Sequence, residues 1–114
     1  GDALIGEILC TFVLMVTIFA ACDGEIERSS AHVGPLLPFA IGSAVLLSHL
    51  VLIPIDGCSI NPARSMATAV TNGEWDNQWV FWAGPMLGGV LATVVWEAAL
   101  RPTQVADAPY TRIP

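Results

Sequence analysis

The chain has 114 residues, of which 54% are hydrophobic and only 12% charged. A soluble domain usually carries about 25% charged residues, so this composition and the long apolar runs in the sequence point to lipid as the solvent. Four Arg, no Lys and ten acidic residues give a net charge of −6, which leaves no basic footprint for nucleic acid.

Three segments in chain order are long and apolar enough to cross a bilayer. Residues 3–22 carry one charge, Glu7. Residues 36–55 are interrupted only by His49 as an ionisable group, and residues 79–100 carry Glu97 near their end. Each exceeds the roughly 18 residues that mark a transmembrane helix. The first lacks the basic flank of a signal peptide, and two further spans follow it. Trp75, Trp79 and Trp96 sit near segment ends, where aromatic rings favour the headgroup layer. Cys10 and Cys22 would be about 18 Å apart on one helix, too far to bridge. With Cys58 the count is odd, and no spacing suggests a metal or cofactor site.

The connection between the second and third spans breaks this pattern. Residues 58–71 are largely apolar but too short to cross, and they contain Asn61-Pro62-Ala63-Arg64. Asn is a favoured helix N-cap and Pro is favoured at the first helical position. The sequence therefore predicts a helix from Pro62 to Thr71, ended by Asn72-Gly73. Ten residues make about 15 Å, half of a hydrocarbon core of about 30 Å. Residues 54–60, if extended, descend up to about 23 Å and place Asn61 near the midplane. Those lengths describe a re-entrant loop followed by a half-length helix.

Non-helical backbone at that depth must line a cavity or be buried in protein, so the carbonyls of Gly57, Cys58, Ser59 and Ile60 need donors or water. Arg64 at mid-membrane costs at least about 2.5 kcal/mol unless it meets water or partners. Asn61 and Arg64 are three residues apart and share a helix face. If Asn61 caps the helix with its side-chain oxygen, its NH2 group is left to donate into a shared lumen. The positive helix end adds to the field of Arg64 there.

The run Asp56-Gly57-Cys58-Ser59-Ile60-Asn61-Pro62-Ala63-Arg64-Ser65 resembles the aquaporin signature around the second Asn-Pro-Ala box. His49-Leu50 lies upstream of it, Trp79-Val80-Phe81-Trp82-Ala83-Gly84-Pro85 downstream, and Glu7 and Thr11 stand in the first span. The resemblance covers about residues 3–102. It implies an all-α membrane protein: half of an aquaporin-like fold, with three transmembrane helices and a re-entrant half-helix in residues 56–72. The chain would be the C-terminal inverted repeat, with residues 101–114 as a cytoplasmic tail.

The same resemblance implies the roles of individual residues. Asn61, Pro62 and Ala63 match the pore-centre box. Arg64 and His49 match members of the selectivity filter, and Cys58 matches the pore-lining cysteine blocked by mercurials. Gly57, Cys58 and Ser59 would supply pore-lining carbonyls. Glu7, with Thr11, would support the re-entrant loop. Ser65, Ala69, Phe81 and Trp82 match water-selective members. Pro54-Ile55 and Ser59 depart from the family pattern, Ser59 standing where glycine is common.

The implied function is a passive water channel that excludes protons and ions. It would have water as permeant, the bilayer and an N-terminal repeat as partners, a homotetrameric assembly, no enzymatic activity and no cofactor. Pore width, lining donors and positive half-helix ends are the accepted basis of selectivity in such pores. Alternatives are passage of glycerol or another small neutral solute, or a structural junction-type membrane protein with little conduction. Residues 1–114 alone are expected to be a fragment without a sealed pore.

Other readings of single residues stand beside these. His49 also suits a helix–helix hydrogen bond, and Cys58 also suits a small packing position. Glu97 reads as an interfacial charge and Gly84-x-x-x-Gly88 as a small-residue packing seam. Arg28, Arg101 and Arg112 fall on one side if the spans alternate. The positive-inside tendency then puts residues 23–34 and the tail in the cytoplasm.

Overall fold

A computed structural model of the protein describes residues 1–23 and 36–101. Among these residues every regular element is helical. Helix α1 is Asp2–Cys22, α2 is Leu37–Asp56, α3 is Pro62–Asn72 and α4 is Val80–Val95, continued by one wider π-helical turn at Trp96–Leu100. Arg28 and Arg112, and with them the sidedness read from the basic residues, lie outside the described residues.

The burial pattern is that of a protein solvated by lipid. On α1 the residues hidden from solvent include Glu7 at 0% and Thr11 at 5% exposure, while Ile5, Leu9 and Val13 on the other face are at least half exposed. In water this distribution would leave a large sticky surface. In a bilayer it puts carbon against lipid tails and polar groups inside. Three helices, Asp2–Cys22, Leu37–Asp56 and Val80–Leu100, have the length and apolarity to span.

Helix α1 lies between α2 and α4 and packs against both. Along α1 and α4 the contacts advance together. Glu7 lies under Gly84, Ile8 and Thr11 under Gly88, and Phe19 against Trp96 with ring centroids 6.0 Å apart. The two helices are therefore parallel. Against α2 the numbers run oppositely: Gly6 meets Leu52 and Cys10 lies beside Ser48, so that pair is antiparallel. Lipid tails are as apolar as leucine, so helices in a bilayer associate through close packing and buried polar contacts. Glycines at the α1–α4 contact provide that closeness. The Gly84-x-x-x-Gly88 seam read from the sequence is the α4 side of it.

The sequence puts the start of the extended descent at Pro54, and here the structure differs. Helix α2 runs through Pro54 and ends at Asp56, closed by Gly57 at φ 89°, whose N–H returns to the Ile53 carbonyl at 3.2 Å. Proline removes a single helical hydrogen bond. In lipid, a residue left non-helical would expose both of its backbone polar groups, so the helix continues to the first residue able to leave it cleanly. The coil is thus only residues 57–60, with a maximum reach of about 14 Å. The third span also begins one residue late, after a turn in which Val80 N–H reaches the Asn77 carbonyl.

Helix α3 behaves as its sequence predicts. Asn61 caps it, Pro62 opens it, and Gly73 closes it at φ 72° with its N–H on the Ala69 carbonyl at 2.9 Å. Its 11 residues make about 16 Å, half a bilayer core. Ser65 and Ala69, one turn apart, face the protein, while Arg64, Thr68 and Thr71 are exposed on the other side. At the far end of α4, Glu97 and Arg101 form an exposed i,i+4 ion pair at 2.9 Å, in keeping with an interfacial charge.

Candidate functional site

The site is built where the coil 57–60 meets α1. Three of its four residues have positive φ: Gly57 at 89°, Cys58 at 60° and Ile60 at 50°. For glycine this is free, but for a β-branched residue such as Ile60 it is a true outlier. Non-glycine residues in the left-handed region cost about 1–3 kcal/mol each and persist only where their surroundings hold them.

What holds this coil is Glu7. Its Oε1 accepts the Ser59 N–H at 2.6 Å and its Oε2 accepts the Ile60 N–H at 2.7 Å. The alternating backbone turns two successive N–H groups toward one point, which is how peptide nests bind anions. Two oxygens that both accept are what an ionised carboxylate offers. Each hydrogen bond to a charged group contributes about 1.5–3 kcal/mol, enough to offset the local strain. Glu7 lies about 8 Å along α1 from its start, so it fixes the coil well below the helix ends.

Other coil groups are bound as well. Asp56 Oδ1 accepts the Cys58 N–H at 2.8 Å. The Cys58 carbonyl, one of those expected to need a partner, accepts from the Arg64 guanidinium. Ser59 Oγ donates to the Asn61 carbonyl at 2.8 Å and accepts the Asn61 N–H at 3.3 Å and the Ser65 hydroxyl. Arg64 therefore folds back over the coil and ties the first turn of α3 to it.

At Asn61 the side-chain oxygen accepts two amides, Ala63 N–H at 3.0 Å and Arg64 N–H at 3.3 Å. Those are among the orphan donors at any helix start. Both lone pairs of Oδ1 are occupied, and the side chain's NH2 group remains as a donor on an exposed residue. Chemically, the tip of α3 presents an oriented amide donor, a partial positive helix end and a guanidinium on one face.

Along α3, from Arg64 to Gly73, lies a groove of about 560 Å³ whose walls include Cys58, Arg64, Ser65, Thr68, Ala69 and Phe81; Asn61, Pro62 and Ala63 do not line it. Trp82, the neighbour of Phe81, is 47% exposed on the outer side of α4. The Cys58 side chain is 2% exposed and packs with Leu52 and Ile60, bordered by Cys10, Leu14 and Val45. His49 stands apart from this network. Its Nδ1 is 2.8 Å from the Val45 carbonyl one turn back. A carbonyl only accepts, so Nδ1 carries a proton and Nε2 is the ring atom open to another partner. Thr11 is buried beside Gly88, and its hydroxyl has no partner among the described residues. Support of the coil rests with Glu7.

In the sequence Ser59 is expected to supply a pore-lining carbonyl, and its side chain stands out only as a departure from a pattern. The signal for its role was present: a serine two residues before a helix cap is placed to bond the backbone at i+2.

A buried carboxylate holding a strained coil, a capped half-helix and three lipid-length helices define an integral, multi-pass membrane protein. Comparison with known proteins agrees. Residues 1–96 match the family model described as Major intrinsic protein. Over 104 residues the chain is 44% identical to Probable aquaporin PIP-type pTOM75 of Solanum lycopersicum, covering 89% of this chain and 36% of that protein. Aquaporin PIP1-1 of Musa acuminata is 43% identical, and Aquaporin PIP2-4 of Zea mays 44% identical, at the same coverage. The chain belongs to the major intrinsic protein family. It spans 36% of the length of these relatives.

Proposed function

We propose that the chain is the C-terminal repeat of a water-selective channel, completed by an N-terminal repeat and assembled as a homotetramer. The observation that carries this reading is the state of Asn61. Its oxygen is occupied by two helix-start amides, so the group it turns outward can only donate. A water molecule meeting that donor must present its oxygen. With its protons pointing away on both sides, it cannot relay a proton along a continuous hydrogen-bonded file.

Arg64 adds a fixed positive charge next to the same point, and the half-helix end adds a partial one. Arg64, Thr68 and Phe81 would line the outer half of the pore, with the side chains of Cys58, Ser65 and Ala69 packed behind that wall. His49, through Nε2, would face Arg64 across the filter in the complete channel. The role assigned to these residues is conduction. The relatives' names, which read aquaporin, favour water over glycerol, as do Ser65 and His49.

The test is reconstitution of the full-length channel in proteoliposomes. Rapid osmotic shrinkage with sucrose, and swelling with glycerol, separate a water pore from a solute pore. An absence of any flux above bare liposomes would favour a purely structural protein. Arg64→Val is expected to raise proton and cation leak. Repulsion between unit charges about 8 Å apart is about 2 kcal/mol at an effective dielectric of about 20, or a roughly 30-fold change in passage. An unchanged leak in a folded, water-conducting Arg64→Val channel would remove Arg64 from the filter.

A further inference from the structure

Asn61 is gripped by its backbone as well as by its side chain. A serine hydroxyl has one proton to give and two lone pairs, and at Ser59 all three are used. The proton goes to the Asn61 carbonyl, and the lone pairs take the Asn61 N–H and the Ser65 hydroxyl. Both serines are buried, Ser59 at 1% and Ser65 at 7% exposure. The Asn61 carbonyl also accepts the Ser65 N–H at 3.3 Å. Ser59 is itself fixed through its N–H to Glu7. One hydroxyl thus joins α1, by way of Glu7, to the first turn of α3, with Asn61 held between them.

We propose that the Ser59–Ser65 hydroxyl pair is a positioning device that sets the direction of the Asn61 amide, and through it the strictness of proton exclusion. The inference rests on the water-pore reading. Asn61 sits at φ −157° and ψ 110°, and these angles decide where its Cα–Cβ bond points. Both backbone polar groups that would swing with a change in those angles are bound to one rigid oxygen.

Without the Ser59 hydroxyl, the Asn61 N–H loses its acceptor and the Ser65 hydroxyl must turn to a carbonyl of its own or the preceding turn. The Asn61 backbone then keeps only the Ser65 N–H on its carbonyl and is looser, so its Oδ1 can leave one of the two capped amides. Loss of two such bonds shifts the ratio of aligned to misaligned Asn61 about tenfold. A misaligned amide can offer its oxygen to the water file, and an acceptor there permits the proton relay that a donor forbids. Ser65→Ala removes only the outer member of the pair and leaves Ser59 on Asn61, so its effect is smaller.

The experiment uses the full-length channel in proteoliposomes, reading proton leak with an entrapped pH dye and water permeability by stopped-flow. We expect the ratio of leak to water permeability to rise about tenfold in S59A and about threefold in S65A. The double variant should go no further than S59A, because the two hydroxyls act in series. S65T, which keeps the hydroxyl, should stay within about twofold of the parent. The Asn61 side-chain 15N resonance, read by solid-state NMR, should be single in the parent and split or broadened in S59A. A leak ratio in S59A equal to the parent's, or effects that multiply in the double variant, would overturn the proposal. If the parent passes no water, the pore reading fails, and the Asn61 resonance then decides the positioning role by itself: split in S59A supports it, unmoved refutes it. Should S59A fail to fold, S65A against S65T decides by the same two readouts.

Discussion

Glu7→Leu is expected to destabilise the full-length protein by about 3–6 kcal/mol and to abolish its water permeability. The magnitude comes from two hydrogen bonds to a charged group, each contributing about 1.5–3 kcal/mol. Leucine fills similar space but offers no acceptor, so the Ser59 and Ile60 N–H groups are left buried and unmet. The left-handed backbone at Cys58 and Ile60 then keeps only its contacts to Asp56, Arg64 and Ser65, and the coil relaxes away from α1. Asn61, tied to that coil through Ser59, moves with it.

Glu7→Gln separates the electrostatic part from the packing. Its oxygen can serve one N–H, while its NH2 group must face the other donor to donor, so about half the loss is expected, roughly 2–3 kcal/mol. Thermal unfolding in detergent and stopped-flow shrinkage of proteoliposomes measure both effects. Glu7→Leu within about 0.5 kcal/mol of the parent would mean that the coil is held by something other than this carboxylate.

How much of this was legible in advance depends on the range of the physics involved. The three spans could be read because hydrophobic length is a local property, and few soluble helices need 20 apolar residues in a row. The half-helix could be read because Asn61-Pro62 and Gly73 are local signals for its two ends. The exit from α2 could not. Pro54 suggests a break, but whether a helix stops there depends on what the next residues would otherwise expose to lipid.

The pairing of Glu7 with Ser59 and Ile60, some fifty residues on, was available only through family resemblance, since nothing local to either segment encodes it. The fold of Arg64 back onto the Cys58 carbonyl and the use of all three sites on the Ser59 hydroxyl are likewise products of register. So is the placement of the Cys58 thiol in an apolar cluster. A helix apolar on every side leaves its register to the few residues that differ in size or polarity. On α1 and α4 those are Glu7, Thr11, Gly84 and Gly88.

Those small residues give the other large effect, which compares neighbouring glycines on one helix. Gly88→Ala is expected to destabilise by about 2–3 kcal/mol, whereas Gly89→Ala should be neutral or stabilising by up to about 1 kcal/mol. A methyl group at Gly88 would press on the Ile8 carbonyl oxygen and come within 2.9 Å of Thr11 Cβ and 3.1 Å of the Phe12 nitrogen. Two of those three atoms are α1 backbone and cannot rotate aside, so α1 and α4 must separate. Overpacking of a fixed contact costs about 1–3 kcal/mol, and here the close approach of the helices is the main source of their attraction.

At Gly89 the same methyl group meets nothing within 4 Å, so only the gain in helix propensity is left. Gly84 sits equally close to Glu7: a methyl carbon added there would stand 2.5 Å from Glu7 Cβ. Separation of α4 therefore also shifts the carboxylate that holds the coil. Gly88→Ala should lower water permeability in proportion to its loss of stability, although residue 88 lies more than a turn from the groove. Equal unfolding temperatures for the two variants would show that α1 and α4 do not meet along this seam.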